Sequence, residues 1–156
     1  MRRVSEGADA EGREARAPFV RAYDDGDVRW TCTRAAGDGD GDGVREVIEL
    51  VVRGRGTLAG ATRMIEVLDE AIAGAAEDSA RLWFDVAQVR GAPLRSQAMF
   101  GRWLVRQRHV VHRVVVLGAA PWERRLATFA CSVAGFRAFR FFDARDRDEA
   151  RRWLRA

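Results

Sequence analysis

The sequence predicts an α/β domain with a five-stranded mixed sheet. An antiparallel hairpin opens it, βα units continue it, and about four helices pack against it. Three observations predict this. Val114, Val115, Val116 and Leu117 form an unbroken apolar run closed by Gly118, which suits a strand covered on both faces. Apolar stripes at helical spacing alternate along the chain with short β-branched or aromatic runs. Gly- and Asp-rich punctuation separates them. The expected element order is β-β-α-β-α-β-α-β-α, with the first strand as an antiparallel edge and the other four mainly parallel.

Residues 1–26 are rich in Arg, Glu, Asp, Ala and Gly and lack a sustained apolar period, so they read as a largely disordered tail. Phe19, Val20 and Tyr23 could tack its end onto the domain, which spans residues 27–156. Residues 28–33 alternate weakly around Trp30 and read as the first strand; residues 44–52 read as the second. Between them lies the Gly/Asp run AAGDGDGDG. Asp38, Asp40, Asp42, Gly43 and Glu49 satisfy the calcium-loop pattern D-x-D-x-D-G-x5-E. An EF-hand needs a helix on each side, and here VIELVV favours a strand. A floppy acidic hairpin loop is the better reading, and no metal is expected.

The second strand runs into RGRGTLAGA. Gly54, Gly56 and Ala59 fit the G-x-G-x-x-G/A form whose amides cradle a pyrophosphate in dinucleotide-binding folds. The same glycines would equally serve to turn the chain from strand to helix. Met64, Ile65, Leu68, Ala71, Ile72 and Ala75 then make one apolar helical stripe. Residues 81–86 form the third strand. A helix follows from residue 96 to about 108, with Ser96 as its N-cap and Phe100, Trp103, Leu104 and Gln107 on its inner face. His109 and His112 could share a helix face, but no Cys or acidic partner is near in sequence, so they read as surface or loop-capping groups.

After the strand ending at Leu117, Pro121 suits a first helical position and Glu123 suits the positive end of the helix dipole. Trp122, Leu126, Phe129, Ala130 and Val133 mark the buried side, and Gly135 the stop. Residues 136–142 read as an aromatic strand. Asp146 and Glu149 match capping-box spacing, and Ala150, Trp153 and Leu154 face the last helix inward.

A chain of 156 residues suggests one domain, and 47% hydrophobic content fits a soluble protein. No apolar run is long enough to cross a bilayer, and no secretory signal is visible, so the cytoplasm is the expected location. Every basic side chain other than His is Arg, which reads as G+C-rich coding. From Arg81 onward 16 Arg face 6 acids; before it, 11 face 17. The basic half could meet phosphates or anionic lipid, or simply be a solvated surface. Cys32 and Cys131 match no metal or redox spacing and read as reduced core residues.

The pattern VVVLG…PW…FRFFD…EARRWL resembles the SpoIIAA-like branch of the STAS superfamily, also described as STAS/SEC14-like. Gly118, Trp122, Phe141, Phe142, Ala150, Trp153 and Leu154 carry the likeness, which covers roughly residues 28–154. It implies a single SpoIIAA/STAS-like fold and a turn, rather than a nucleotide cradle, at Gly54 and Gly56. In the family's anti-sigma antagonists the loop after the central strand bears a phosphorylated Ser. Asp85 matches the Asp ending that strand, but the Asp-Ser-Ser-Gly motif is replaced by GAPLRSQ.

Asp85, Arg95 and Ser96 are therefore the candidate phosphoacceptor or partner loop. Trp103, Trp122 and Trp153 are candidates to wall an apolar, lipid-like ligand pocket, which the SEC14-like label suggests by analogy. With no nucleophile motif in sight, no catalytic residue and no cofactor are expected. The leading expectation is a non-enzymatic regulatory or protein-interaction module that acts through another protein, with homodimerisation possible. The alternatives are an apolar-ligand carrier, a nucleotide-binding enzyme using Gly54, Gly56 and Ala59, and, more weakly, nucleic-acid binding by the Arg-rich helix.

Overall fold

A computed structural model describes residues 18–36, 45–121, 123–125, 127 and 138–156. Among the described residues six strands form one sheet whose spatial order is their chain order. They are β1 (Phe19–Asp24), β2 (Val28–Ala36), β3 (Glu46–Gly54), β4 (Ala80–Val89), β5 (Val111–Leu117) and β6 (Phe139–Phe142). Strands β1, β2 and β3 pair antiparallel; β3 through β6 pair parallel. Helices α1 (Leu58–Ile72) and α2 (Leu94–Arg106) fill the β3–β4 and β4–β5 crossovers, and α3 (Arg147–Arg155) follows β6.

The first strand corrects the expected tail boundary. Residues 19–24 belong to the sheet and cover β2, which is therefore not an edge. Alternation is enough here because the strand leans on what lies beneath it. Phe19 is buried, Tyr23 stacks on Trp30 at 5.4 Å, and Arg21 pairs with Glu70 of α1. The carboxylate of Asp25 makes the turn, accepting from the amides of Asp27 at 3.1 Å and Val28 at 2.8 Å. Residues 1–17 of the expected tail lie outside the described residues, as do Asp38, Asp40, Asp42 and Gly43 of the acidic loop.

Two apolar clusters sandwich the sheet. On one face α1 and α2 pack Met64, Val67, Leu68, Trp103 and Leu104 against Trp30, Ile48, Leu50, Leu82 and Val114. On the other, α3 packs Ala150 and Leu154 against Trp83, Val115, Leu117 and Phe142. The run at residues 114–117 is buried on both faces, in the sheet between β4 and β6. Gly118 ends it at φ +79°, and a Cβ there would stand 2.5 Å from Ala87 Cα.

Local signals at the helix ends hold less uniformly. Thr57 caps α1, its hydroxyl accepting from the Gly60 amide at 3.0 Å. Helix α2 starts at Leu94 after Pro93, so Ser96 lies within its first turn and is not the cap. This helix stops at Arg106, so His109 and His112 share no helix; His112 is in β5. The expected Asp146–Glu149 capping box is not made, because Asp146 adopts φ −95°, ψ 30° and not the extended cap conformation. Glu123 does reach back, accepting from the Ala120 amide at 2.9 Å. Cys32 is fully buried, and burial pushes its thiol pKa up to about 12, as an inert core cysteine requires. Cys131 lies outside the described residues. Among the described residues no helix is long and apolar enough to cross a membrane.

Candidate functional site

In an open α/β sheet the carboxyl ends of the parallel strands are where loops converge on a ligand or partner. Here that edge holds the end of β3 at Gly54, the last residues of β4, and the β5 terminus at Gly118.

Asp85 is buried near this edge, on the α3 face. Its Oδ1 accepts from the Ala87 amide at 3.0 Å, and its Oδ2 is paired with the Arg147 guanidinium at the start of α3. The carboxylate is thus engaged on both oxygens and clamps the last helix to the central strand. Ser96 turns the other way. It is buried on the α1 face, with its hydroxyl 3.5 Å from the Thr57 carbonyl. Arg95 beside it is exposed. The structure therefore separates Asp85 from Ser96 and leaves Arg95 at the surface.

The glycine turn is knitted internally. Gly54 sits at φ +88°, where a Cβ would stand 2.2 Å from the Asp27 carbonyl oxygen. The Arg55 amide donates to Asp27 O at 2.9 Å, and the Gly56 amide donates to Gly91 O at 2.8 Å. The Gly60 and Ala61 amides are taken by Thr57. Asp25 completes the arrangement by accepting from the Thr57 hydroxyl at 2.8 Å. Hydrogen bonds from the Val28 amide first, and from Thr57 next, hold the Asp25 carboxyl below the usual carboxylate range. A negative charge therefore already stands at the α1 N-terminus, and the Arg55, Gly56, Gly60 and Ala61 amides already have acceptors. Ala59 is exposed on the first turn of α1.

Trp103 and Trp153 do not share a pocket. Trp103 is buried between α1 and α2, its indole N–H donating to Asp69 at 2.7 Å. Asp69 also accepts from Gln107 and pairs with Arg106, both at 3.1 Å. Trp153 lies on the opposite face, against Phe142 and under the Arg113 guanidinium. Trp122 lies outside the described residues. Glu49, last member of the calcium pattern, is in β3 and faces Arg151 at 3.5 Å.

Sequence reasoning missed an exposed patch on this edge. Helices α1 and α2 begin side by side, tied by the Gly56–Gly91 hydrogen bond and the Ser96–Thr57 contact. Their first residues project outward: Leu58 is 40% exposed and Leu94 63%. Pro93 is exposed between them, and Arg55, Arg90 and Arg95 are exposed around them. The available signal was Leu94 itself, an apolar residue off the stripe that buries its helix.

A family model described as SpoIIAA-like matches residues 47–155. Among solved structures, the chain is similar to an uncharacterized protein of the DUF3478 family with a SpoIIAA-like fold from Shewanella loihica PV-4. The identity is 16%, the TM-score is 0.59, and the match covers 92% of this chain and 99% of that one. At that identity the likeness speaks for the fold alone. No curated protein matches the chain.

Proposed function

Because the chain belongs to the SpoIIAA-like family, we propose that it is a non-enzymatic regulatory or protein-interaction module, meeting a partner protein at the carboxyl edge of its parallel strands. The observation that carries this reading is the patch where α1 and α2 begin. Leu58 and Leu94 are exposed there, on helices whose buried stripes point elsewhere. Arg55, Arg90 and Arg95 surround them, so the partner surface should be apolar at its centre and acidic at its rim.

The same edge offers little to a small ligand. The Arg55 and Gly56 amides of its turn are spent internally, and the Asp85 carboxylate is engaged by Arg147. These features favour a rigid contact surface over a catalytic or nucleotide site.

The test is capture from the native host with the wild-type chain beside L94D and R95E, read by quantitative mass spectrometry. A partner retained by wild type and lost from both variants is the expected result. No reproducible partner, or equal capture by L94D, would refute the reading.

A further inference from the structure

At the opposite end of the sheet, beneath the last turn of α3, buried donors outnumber their acceptors. Arg81 of β4 is 4% exposed. One of its nitrogens, Nη1, donates to the Arg155 carbonyl at 2.6 Å. Nε and Nη2 are enclosed and have no acceptor, and two residues along the same strand the buried Trp83 Nε1 has none either. Residues two apart on a strand share a face, so all three nitrogens belong to the α3 side of β4.

The charges that act on Arg81 itself are positive. Arg113 of β5 is the cross-strand partner of Arg81, in a register shifted by the extra residue His112. Its Nη1 donates to the Trp153 carbonyl at 2.5 Å. Arg45 precedes β3, two residues before Val47, which pairs with Arg81. Among the described residues no carboxylate forms an ion pair with Arg45, Arg81 or Arg113; Glu49, the cross-strand neighbour of Trp83, is held by Arg151 at 3.5 Å. Burial first, then the charges of Arg45 and Arg113, lower the Arg81 pKa. A buried guanidinium beside two others, with two of its nitrogens unpaired, is costly unless something acceptor-rich offsets it.

We propose that this corner is a seat for a small oxyanion of the phosphate class, held by Arg81 and Trp83 and attracted by Arg45 and Arg113. The chemistry selects the ligand. The enclosed unpaired groups are all donors, the Trp153 and Arg155 carbonyls already accept from Arg113 and Arg81, and a tetrahedral oxyanion is rich in acceptors. Entry requires the last turn of α3 to lift, which breaks the Arg81–Arg155 and Arg113–Trp153 hydrogen bonds and uncovers Leu154, so the seat fills only where the oxyanion's own bonds offset that loss. The site is separate from the partner surface proposed above and does not depend on it.

The experiment is calorimetric titration of the full chain with inorganic phosphate, and with phenyl phosphate, at ionic strength held constant with chloride. One-to-one binding in the millimolar range or tighter is expected. R81M should weaken it by about tenfold or more, the loss of charge-assisted hydrogen bonds. R45E, a surface change that leaves the core intact, should weaken it by roughly fivefold and keeps the test decisive should R81M misfold. Equal binding of phenyl phosphate would assign the seat to phosphomonoesters; binding of inorganic phosphate alone would assign it to the free ion. Absence of heat with both probes, or affinity unchanged in R45E, would overturn the proposal.

Discussion

Removing the Arg147 side chain, while leaving Asp85 in place, should cost more than removing the charge from Asp85. The Asp85 carboxylate is 6% exposed and the Arg147 side chain 45%. A fully buried pair broken from one side loses about 3–5 kcal/mol, whereas an exposed pair is worth only about 0.2–1 kcal/mol. The half-exposed guanidinium places this pair between those limits, so R147M should lose about 1.5–2.5 kcal/mol. D85N keeps an oxygen for the Ala87 amide and should lose about 1–1.5 kcal/mol. Because the double variant no longer strands a carboxylate, it should be less destabilised than the sum, with a coupling energy of about 1 kcal/mol. Urea unfolding of the four proteins measures the cycle, and R147M should also melt about 3–8 °C lower. Additive losses, or an R147M indistinguishable from wild type, would refute the view that this pair clamps α3 to β4.

W103F should lower stability by about 1–2 kcal/mol, through the lost indole donor to Asp69, and W103A by about 3–5 kcal/mol, both read from urea midpoints. Gly118→Ala must adopt φ +79° and meet Ala87, so a loss of about 2–4 kcal/mol is expected; a melting temperature unchanged from wild type would contradict the geometry. Burial first and the Arg113 charge next hold the His112 imidazole below its usual 6.5, against the opposing pull of Asp78. Folded protein therefore binds that proton less readily than unfolded chain, so this stability is full above about pH 6.5 and is lost as pH falls through the range beneath it. H112Q should flatten that limb of the stability–pH curve, and an unchanged slope would sink the assignment.

Much of the fold was legible because its strongest signals are non-local in consequence but local in sequence. Four successive apolar residues at 114–117 can satisfy burial on both faces only inside a covered sheet, and the glycine behind them marks the turn. The first strand was harder to read, since FVRAYD buries Phe19 alone and gains its order from Trp30 and Glu70, both distant in sequence. The helix caps misled for a related reason. Asp146 and Ser96 have the right chemistry, but a cap depends on backbone angles that the neighbouring Pro93 and the β6–α3 turn decide.

The candidate site was legible only as a neighbourhood. Asp85, Arg95 and Ser96 do lie toward one end of the sheet, yet the alternation of a strand sends Asp85 to one face while the next helix carries Ser96 to the other. Arg147, the true companion of Asp85, is 62 residues away along the chain, beyond the reach of spacing arguments.

The strand order has a consequence for how the chain reaches its native state. Since spatial and chain order coincide, each new strand docks against one already synthesised, and no strand must wait for a later one to be inserted between it and its neighbour. Emergence from a ribosome would therefore extend the sheet at a single growing margin. Circular permutants that start within the acidic β2–β3 connection would abolish that vectorial advantage while preserving every native pairing.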